Sequence, residues 1–178
     1  MLRGKLVYLR PFEKRDLESL FNAIHDDEIR YMTGTRNTST MEQLNKYFER
    51  MDNDDTRRDF AICLCDSEEI AGDLTIMDID SFNHKAGFRI ALHDRNHMNK
   101  GYGTEAVKLA LRYVFEELKL NRLQLEVYSH NSRGIKSYEK AGFKQEGVIR
   151  QSLYYNDQYS DEIIMGMLKE DYDKLVSE

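Results

Sequence analysis

The sequence predicts a single α+β domain: a mixed, mostly antiparallel central sheet flanked by helices, with a β-hairpin at its C-terminal end. Three observations carry this. Phe60 to Cys65, Ala71 to Ile79 and Lys85 to Leu92 are β-rich runs whose links are too short for anything but antiparallel neighbours. Amphipathic helical runs stand before and after them. Two further runs, Gly147 to Tyr155 and Tyr159 to Leu168, fold around Asn156-Asp157-Gln158. A chain of 178 residues that is 40% hydrophobic buries one sizeable core and is short for two, so residues 1–178 read as one domain.

Taken in order, Leu6 to Leu9 is a first strand ending at Pro11, the only proline. Asp16 is then placed to cap a helix whose Leu17, Leu20, Phe21 and Ile24 share one apolar face. Asp26 to Ser39 is polar, broken by Gly34, and reads as a loop. Thr40-x-x-Gln43 is a capping-box pattern for a second helix, along which Met41, Leu44, Phe48 and Met51 recur, and Asp52 to Asp55 ends it. After the three strands and the polar run His93 to Lys100, Gly101-Tyr102-Gly103 opens a helix with Ala106, Val107, Ala110, Leu111, Val114 and Leu118 on its apolar side. Leu123 to Tyr128 is a strand. Asn131 to Ala141 is a short helix, with Gly142 suited to the left-handed position after its end.

The formal charge of −6 and a pI near 5.5 argue against nucleic-acid binding as the main task and favour a cationic substrate. No apolar run approaches a membrane span, and Met1 to Lys5 lacks the apolar core of a signal peptide, so a cytoplasmic location is expected. Cys63 and Cys65, two apart in a strand, share a face, are poorly placed to pair with each other, and read as buried free thiols. His93 and His97 stand four apart without the His-Glu-x-x-His signature or an evident third ligand. They read as solvated or lightly structural, and no metal is expected.

Two glycines one residue apart at a helix start let backbone approach a bulky anion, toward which the first amides and the helix dipole point. As a P-loop, Gly101 to Ala106 fails, because the Gly-Lys and the following Ser or Thr are missing. As a dinucleotide fingerprint it has the spacing, and Glu126 lies about twenty residues on. Against that reading, eight polar residues separate Leu92 from Gly101, and the preceding chain is antiparallel in character. An ordinary glycine-bearing helix start is the third reading.

Further motifs decide among these. Leu9-Arg10-Pro11 is followed by Asp16; then come Ala86 to Ile90, Lys100 to Ala106, Asn131-Ser132-Arg133, Tyr138 to Phe143, Glu146-Gly147 with Arg150, and Tyr159, Asp161 and Met165. In these residues and this order, over nearly its whole length, the chain resembles the GNAT superfamily of N-acetyltransferases. The similar branch holds ribosomal-protein N-terminal acetyltransferases and spermidine/spermine acetyltransferases.

The resemblance implies a GNAT-like sheet, acetyl-CoA as co-substrate, and acetyl transfer to a primary amine by direct attack in a ternary complex. It implies that the backbone of Phe88, Ile90, Ala91 and Leu92 pairs with the pantetheine arm, amides near Ile90 to Leu92 polarising the thioester carbonyl. The turn Met98, Asn99, Lys100, Gly101, Tyr102 and Gly103, leading into Thr104, would hold the pyrophosphate. Asn131 would contact the cofactor, cap its helix, or do both. Tyr138 would be the general acid toward the departing thiolate, although its spacing with Ile135 and Ala141 also suits a core tyrosine. Met98 stands where the family carries Gln or Arg, and Asn99 where it frequently carries Gly, so weakened cofactor binding is expected. Glu28, Asp78 and His84 fall in segments that could face the amine. The acceptor is a protein N-terminus or a small amine: acidic Asp26, Asp27, Glu28, Asp52, Asp54 and Asp55 suit a polyamine, whereas Gly87 stands where similar polyamine enzymes tend to carry an acid. A CoA-binding regulatory module without catalysis is the alternative from another class. Homo-oligomers are a common default.

Overall fold

The computed structural model describes residues 1–51 and 53–177; Asp52, counted above among the acidic residues, lies outside them. The elements are β1 (Leu2–Arg3), β2 (Val7–Pro11), α1 (Leu17–Ile24), α2 (Asp27–Thr33), α3 (Met41–Met51), β3 (Arg58–Leu64), β4 (Ile70–Asp80), β5 (Lys85–Leu92), α4 (Tyr102–Arg112), β6 (Arg122–Tyr128), α5 (Ser132–Ala141), β7 (Lys144–Tyr155), β8 (Gln158–Leu168) and α6 (Lys169–Ser177). One sheet of eight strands runs in the order β1-β2-β3-β4-β5-β6-β8-β7. Every neighbouring pair is antiparallel except β5 and β6. The α+β class and the final hairpin are those the sequence predicts, whereas β1 and α6 are elements that it did not.

The exceptional pair shapes the molecule. β5 and β6 run parallel and bond only through Lys85↔Arg122, Ala86↔Leu123 and Gly87↔Gln124, then diverge. Each keeps an antiparallel partner along its length, β4 for one and β8 for the other, so parting costs only their mutual ladder.

Strand alternation gives the sheet two different faces. On one, Leu9, Ile62, Leu74, Ile76, Phe88, Leu123 and Leu125 are buried in a single core with Ala106, Val107, Ala110 and Val114 of α4. Past Arg112 that helix widens into i→i+5 bonding, with Leu118 N donating to Tyr113 O at 2.9 Å. The other face is partly polar. Arg57 forks onto Asp59 at 2.7 and 2.6 Å, and Thr75 donates to the same carboxylate at 2.8 Å. Cys63 is buried there beside Tyr8 and Ala61, whereas Cys65 is only half-buried, so one of the two expected buried thiols is at the margin of the core.

Three local expectations are corrected. Asp26 to Ser39 is not all loop: Asp26 caps α2 by accepting from Glu28 N and Ile29 N at 2.9 and 3.0 Å, and Gly34, at φ +69°, ends it. Asp16 makes no side-chain cap on α1. Arg10 donates to both its oxygens at 2.7 Å, and Glu13 N donates at 2.8 Å. Burial would raise the Asp16 pKa, and these donors outweigh it and hold the carboxyl below its ordinary range. His93 and His97 are buried rather than solvated. The capping box stands as read, with Thr40 N donating to Gln43 Oε1 at 2.9 Å and Gln43 N to Thr40 Oγ1 at 3.2 Å.

Glu105 fastens the chain's beginning to α4. Its carboxylate accepts from Lys5 N, Leu6 N and Val7 N at 3.0, 2.7 and 2.8 Å. Burial opposes the charge, but the three amides prevail and the pKa is lowered. Glu105→Ala, which leaves those amides without their acceptor, is expected to lower stability by about 1–3 kcal/mol in urea denaturation. The folded pKa being depressed, the stabilisation is full above the ordinary carboxyl pKa of about 4.3 and is lost as pH falls through the folded value. The gap between parent and variant should therefore narrow in acid.

Candidate active site

Beyond Gly87, β5 has no neighbour on its β6 side, so Phe88 to Leu92 present backbone N–H and C=O groups to an open gap. A cleft of about 420 Å³ occupies it. Ile90, Ala91 and Leu92 form one wall. Met98, Asn99 and the stretch Gly101 to Thr104 form one end, while Asn131 and Tyr138 stand on the α5 side. Eleven of the thirteen residues proposed for catalysis or cofactor binding are thus brought together. Phe88 lies beneath the cleft in the core, and exposed Lys100 does not line it.

The turn into α4 depends on its backbone conformation. Gly101 has φ +86° and Asn99 φ +61°, left-handed values that glycine and asparagine tolerate best. The first α4 bond recorded from the turn is Glu105 N to Gly101 O at 3.0 Å, so the amides of Tyr102, Gly103 and Thr104 lack acceptors within the helix. A Cβ at Gly103 would meet only Leu92 Cδ1, at 3.9 Å, so the approach to those amides is open. Arg133, Lys136 and Lys140 of α5 line the cleft, and among the described residues no carboxylate does. Open amides, a helix N-terminus and three cations suit a phosphate-bearing ligand.

α5 is held at the cleft by Asn131, whose Oδ1 accepts from Gly134 N at 3.0 Å, and by Thr104 and Ser137, whose hydroxyls lie 2.9 Å apart. The capping geometry expected of Asn131 is present, and the residue also lines the cleft. Tyr138 is 8% exposed, its ring edge-on to Phe88 at 6.4 Å and to Phe143 at 6.0 Å. Among the described residues its hydroxyl makes no side-chain hydrogen bond. Burial pushes its pKa far above the ordinary tyrosine value, so it stays protonated.

The three amine-facing candidates are scattered. Glu28 is engaged: its carboxylate pairs with Arg133 at 2.6 Å and with Arg95 at 3.3 Å. With Asp26, which takes Arg95 at 3.0 Å, it straps α2 over the cleft, where Ile29, Met32 and Thr33 complete the lining. His84 is exposed in the β4–β5 turn, three residues before Gly87, and does not line the cleft. Its carbonyl accepts from Asn121 N and Arg122 N at 2.7 and 3.1 Å. Asp78 is also outside the cleft, but it sits on a bulge in β4, with φ +51°, and its Oδ2 lies 3.8 Å from where a Cβ on Gly87 would be. Gly87 is the last residue of β5 to pair with β6, so Asp78 stands at the apex of the gap, on the face opposite Phe88.

Behind Ala91 is a group that the sequence reading missed. Asp73, opposite Ala91 in the register, bonds His93 Nε2 at 2.7 Å, and His93 Nδ1 bonds Ser19 Oγ at 2.8 Å. This buried chain pins the end of β5 to β4 and α1. Residues separated by 20 and 74 positions leave no local signal. Among the described residues no group of three side chains could hold a metal ion, and no helix is long and apolar enough to cross a membrane.

β5, α4 and parallel β6 do form one crossover, but the strands before β5 are antiparallel, residues 93–100 separate β5 from Gly101, and Glu126 lies on the far face of β6 from the core, so the dinucleotide reading is set aside. A sheet opened between two parallel strands, a glycine-led helix start beside it and a buried protonated tyrosine together define an acetyl-CoA-dependent N-acetyltransferase. The chain belongs to the acetyltransferase (GNAT) domain family, which matches residues 7–144. It is 29% identical to the probable N-acetyltransferase YjcK of Bacillus subtilis, across 96% of this chain and 98% of that protein. It is also 29% identical to the spermidine N(1)-acetyltransferase of Escherichia coli, across 93% of this chain and 88% of the other. The fold matches the crystal structure of spermidine N-acetyltransferase from Vibrio cholerae in complex with CoA and spermine, at a TM-score of 0.88 and 24% identity over 95% of this chain and 99% of that one.

Proposed function

We propose that residues 1–178 act as one domain that acetylates a primary amine of a small polycation, the amine entering the gap from the face opposite α4. The observation that carries this is Asp78 beside Gly87. The absent side chain at position 87, which from sequence alone argued against a polyamine, leaves room for a carboxylate supplied by the neighbouring strand. Gly87 shares its face with Gln124, Glu126 and Tyr128 of β6 and, across Tyr128, with Glu162 of β8. Among the described residues Asp78, Glu126 and Glu162 have no ion-pair partner, unlike Asp26 and Glu28. Burial, then Glu162 and Glu126, raise the pKa of Tyr128, as expected of a site with negative potential. The names of the Escherichia coli and Vibrio cholerae relatives agree with such an acceptor.

In this reading the first amides of α4, with Lys136 and Lys140, hold phosphate, and the free edge of β5 satisfies the amides of the pantetheine arm. Backbone amides near Ile90 to Leu92 polarise the thioester carbonyl as the amine attacks. Asp78 holds another ammonium of the polycation while the reacting amine attacks unprotonated; as the C–N bond forms and the C–S bond breaks, Tyr138 gives its proton to the departing thiolate and regains one from the proton the nitrogen loses.

Turnover of spermidine should be compared with that of short Ser- or Ala-initiated peptides in the parent and in Asp78→Asn. Spermidine is expected to be preferred, and the substitution to lower its kcat/KM by about tenfold or more while leaving the acetyl-CoA KM in place. Preference for peptides, with Asp78→Asn silent, would replace the polyamine reading with that of a protein N-terminal acetyltransferase.

A further inference from the structure

Arg89, in the middle of β5, is exposed, and among the described residues its guanidinium has neither an ion pair nor a side-chain hydrogen bond. The charged groups around it are matched to one another instead. Arg89 stands opposite Thr75 in the register and Thr75 opposite Asp59, which takes Arg57 at 2.6 Å. Asp73, opposite Ala91, takes His93 at 2.7 Å, and on α2 Asp26 and Glu28 take Arg95 and Arg133. Asp78 lies beside Gly87, Lys85 begins the same strand, and Glu126, Tyr128 and Glu162 stand farther along the sheet on β6 and β8.

Its place in the strand gives the unpaired cation a use. Phe88 is buried in the core with α4, so alternation turns Gly87, Arg89 and Ala91 to the opposite face, from which the acceptor enters. Arg89 thus lies between the carboxylate of Asp78 at the apex of the gap and the wall Ile90 to Leu92, where the thioester carbonyl is polarised. Two strand residues span about 7 Å, which a guanidinium on its flexible stem covers. Its charge is already felt at the level of Ala91: burial would raise the Asp73 pKa, but the hydrogen bond and charge of His93, then the charges of Arg89 and Arg57, prevail and lower it. A cation in the path of a cationic acceptor opposes only the protonated nitrogen. The neutral amine, the form that attacks, meets no such repulsion, and a neighbouring cation is one of the ways an amine is made nucleophilic near neutral pH.

Resting on the amine-acetylation reading above, we propose that Arg89 disfavours the protonated form of the reacting amine in the ternary complex, so that the ammonium gives a proton to water and the neutral nitrogen attacks. Asp78 and Arg89 then divide a polycation between them: the carboxylate holds the ammonium that stays charged, and the guanidinium discharges the one that reacts. Among the described residues no carboxylate lines the cleft, so this electrostatic route also removes the need for an acidic side chain there to act as base.

The test is the pH dependence of single-turnover acetyl transfer at saturating amine, in the parent, Arg89→Gln and Arg89→Lys, with spermidine or the Ser- or Ala-initiated peptide, whichever the parent prefers. Under these conditions the rising limb of the profile reports the amine in the complex. Arg89→Gln is expected to move its midpoint to higher pH by about half a unit or more, so that the rate falls about threefold or more on the acid side of the midpoint and rejoins the parent's in alkali. Arg89→Lys, which keeps the charge, should keep the parent midpoint. A purely structural role would lower the rate equally at every pH and leave the midpoint in place, and that result would overturn the proposal, as would equal displacement of the midpoint in Arg89→Gln and Arg89→Lys. Failure of the parent to acetylate either kind of amine would overturn the amine-acetylation reading itself, and preference for the peptide would overturn only the polycation, both distinct from an unmoved midpoint.

Discussion

Tyr138→Phe is expected to lower kcat by about 10²-fold or more while the dissociation constant for acetyl-CoA stays within about twofold of the parent value. The substitution removes one oxygen. Tyr138 has its ring packed against Phe88 and Phe143, a packing that phenylalanine reproduces, and among the described residues its hydroxyl has no side-chain partner to strand. Stability should therefore change by less than about 1 kcal/mol, so lost turnover cannot be ascribed to lost fold. The proton is available because burial disfavours the phenolate. The sign follows from linkage: with the folded pKa raised above the unfolded value of about 10, both states hold the proton at neutral pH, and stability from this group is lost only as pH rises beyond 10. The kcat profile should accordingly show no alkaline fall attributable to Tyr138 below that value. Single-turnover acetyl transfer measured beside calorimetric binding checks the claim. Full turnover in the variant would remove Tyr138 from the mechanism; lost turnover with retained binding would set aside the reading of a purely regulatory CoA-binding module.

What the sequence made legible is what local physics decides. Thr40 and Gln43 cap a helix reciprocally because both partners lie within one turn. β3, β4 and β5 show in their runs because short turns oblige antiparallel pairing, and Gly101 shows because a left-handed φ favours it. α2 escaped because Ile29 is its only buried residue, too little to reveal a period, although Asp26 and Gly34 bracket it. Asp16 resembles a cap until the sheet brings Arg10 to it; a bidentate ion pair outbids one amide. Asp78 could not be set beside Gly87 from sequence, because a register shift in β4 places it there. His97 is indistinguishable in sequence from a solvated histidine, since the turn's packing on Tyr102 is what buries it.

Gly72→Ala should show how closely the fold and the cleft depend on one another. Its φ is not left-handed, so alanine fails there for want of space rather than of conformation. A Cβ at position 72 would lie 2.2 Å from Ala91 O and 2.9 Å from Leu92 Cα, and both obstacles are backbone. No rotamer relieves them, so β5 must move away from β4. Asp73 and His93 resist that movement at the adjoining position, which turns the clash into strain instead of a simple shift. Overpacking of this kind costs about 1–3 kcal/mol, equivalent to a fall in Tm of about 2–12 °C for a chain of this size. The backbone that must move is also the cleft wall at Ala91 and Leu92, so acetyl-CoA affinity should fall at least about tenfold in the folded fraction. Gly147→Ala is the control: it too lies in a strand, but its Cβ would meet only Ile164 Cδ1 at 3.9 Å, and neither Tm nor affinity should move appreciably. Thermal melting and CoA titration of both variants separate the two effects. A Gly72→Ala protein that melts early yet binds CoA as tightly as the parent would mean that the edge of β5 supports the ligand site without forming part of it.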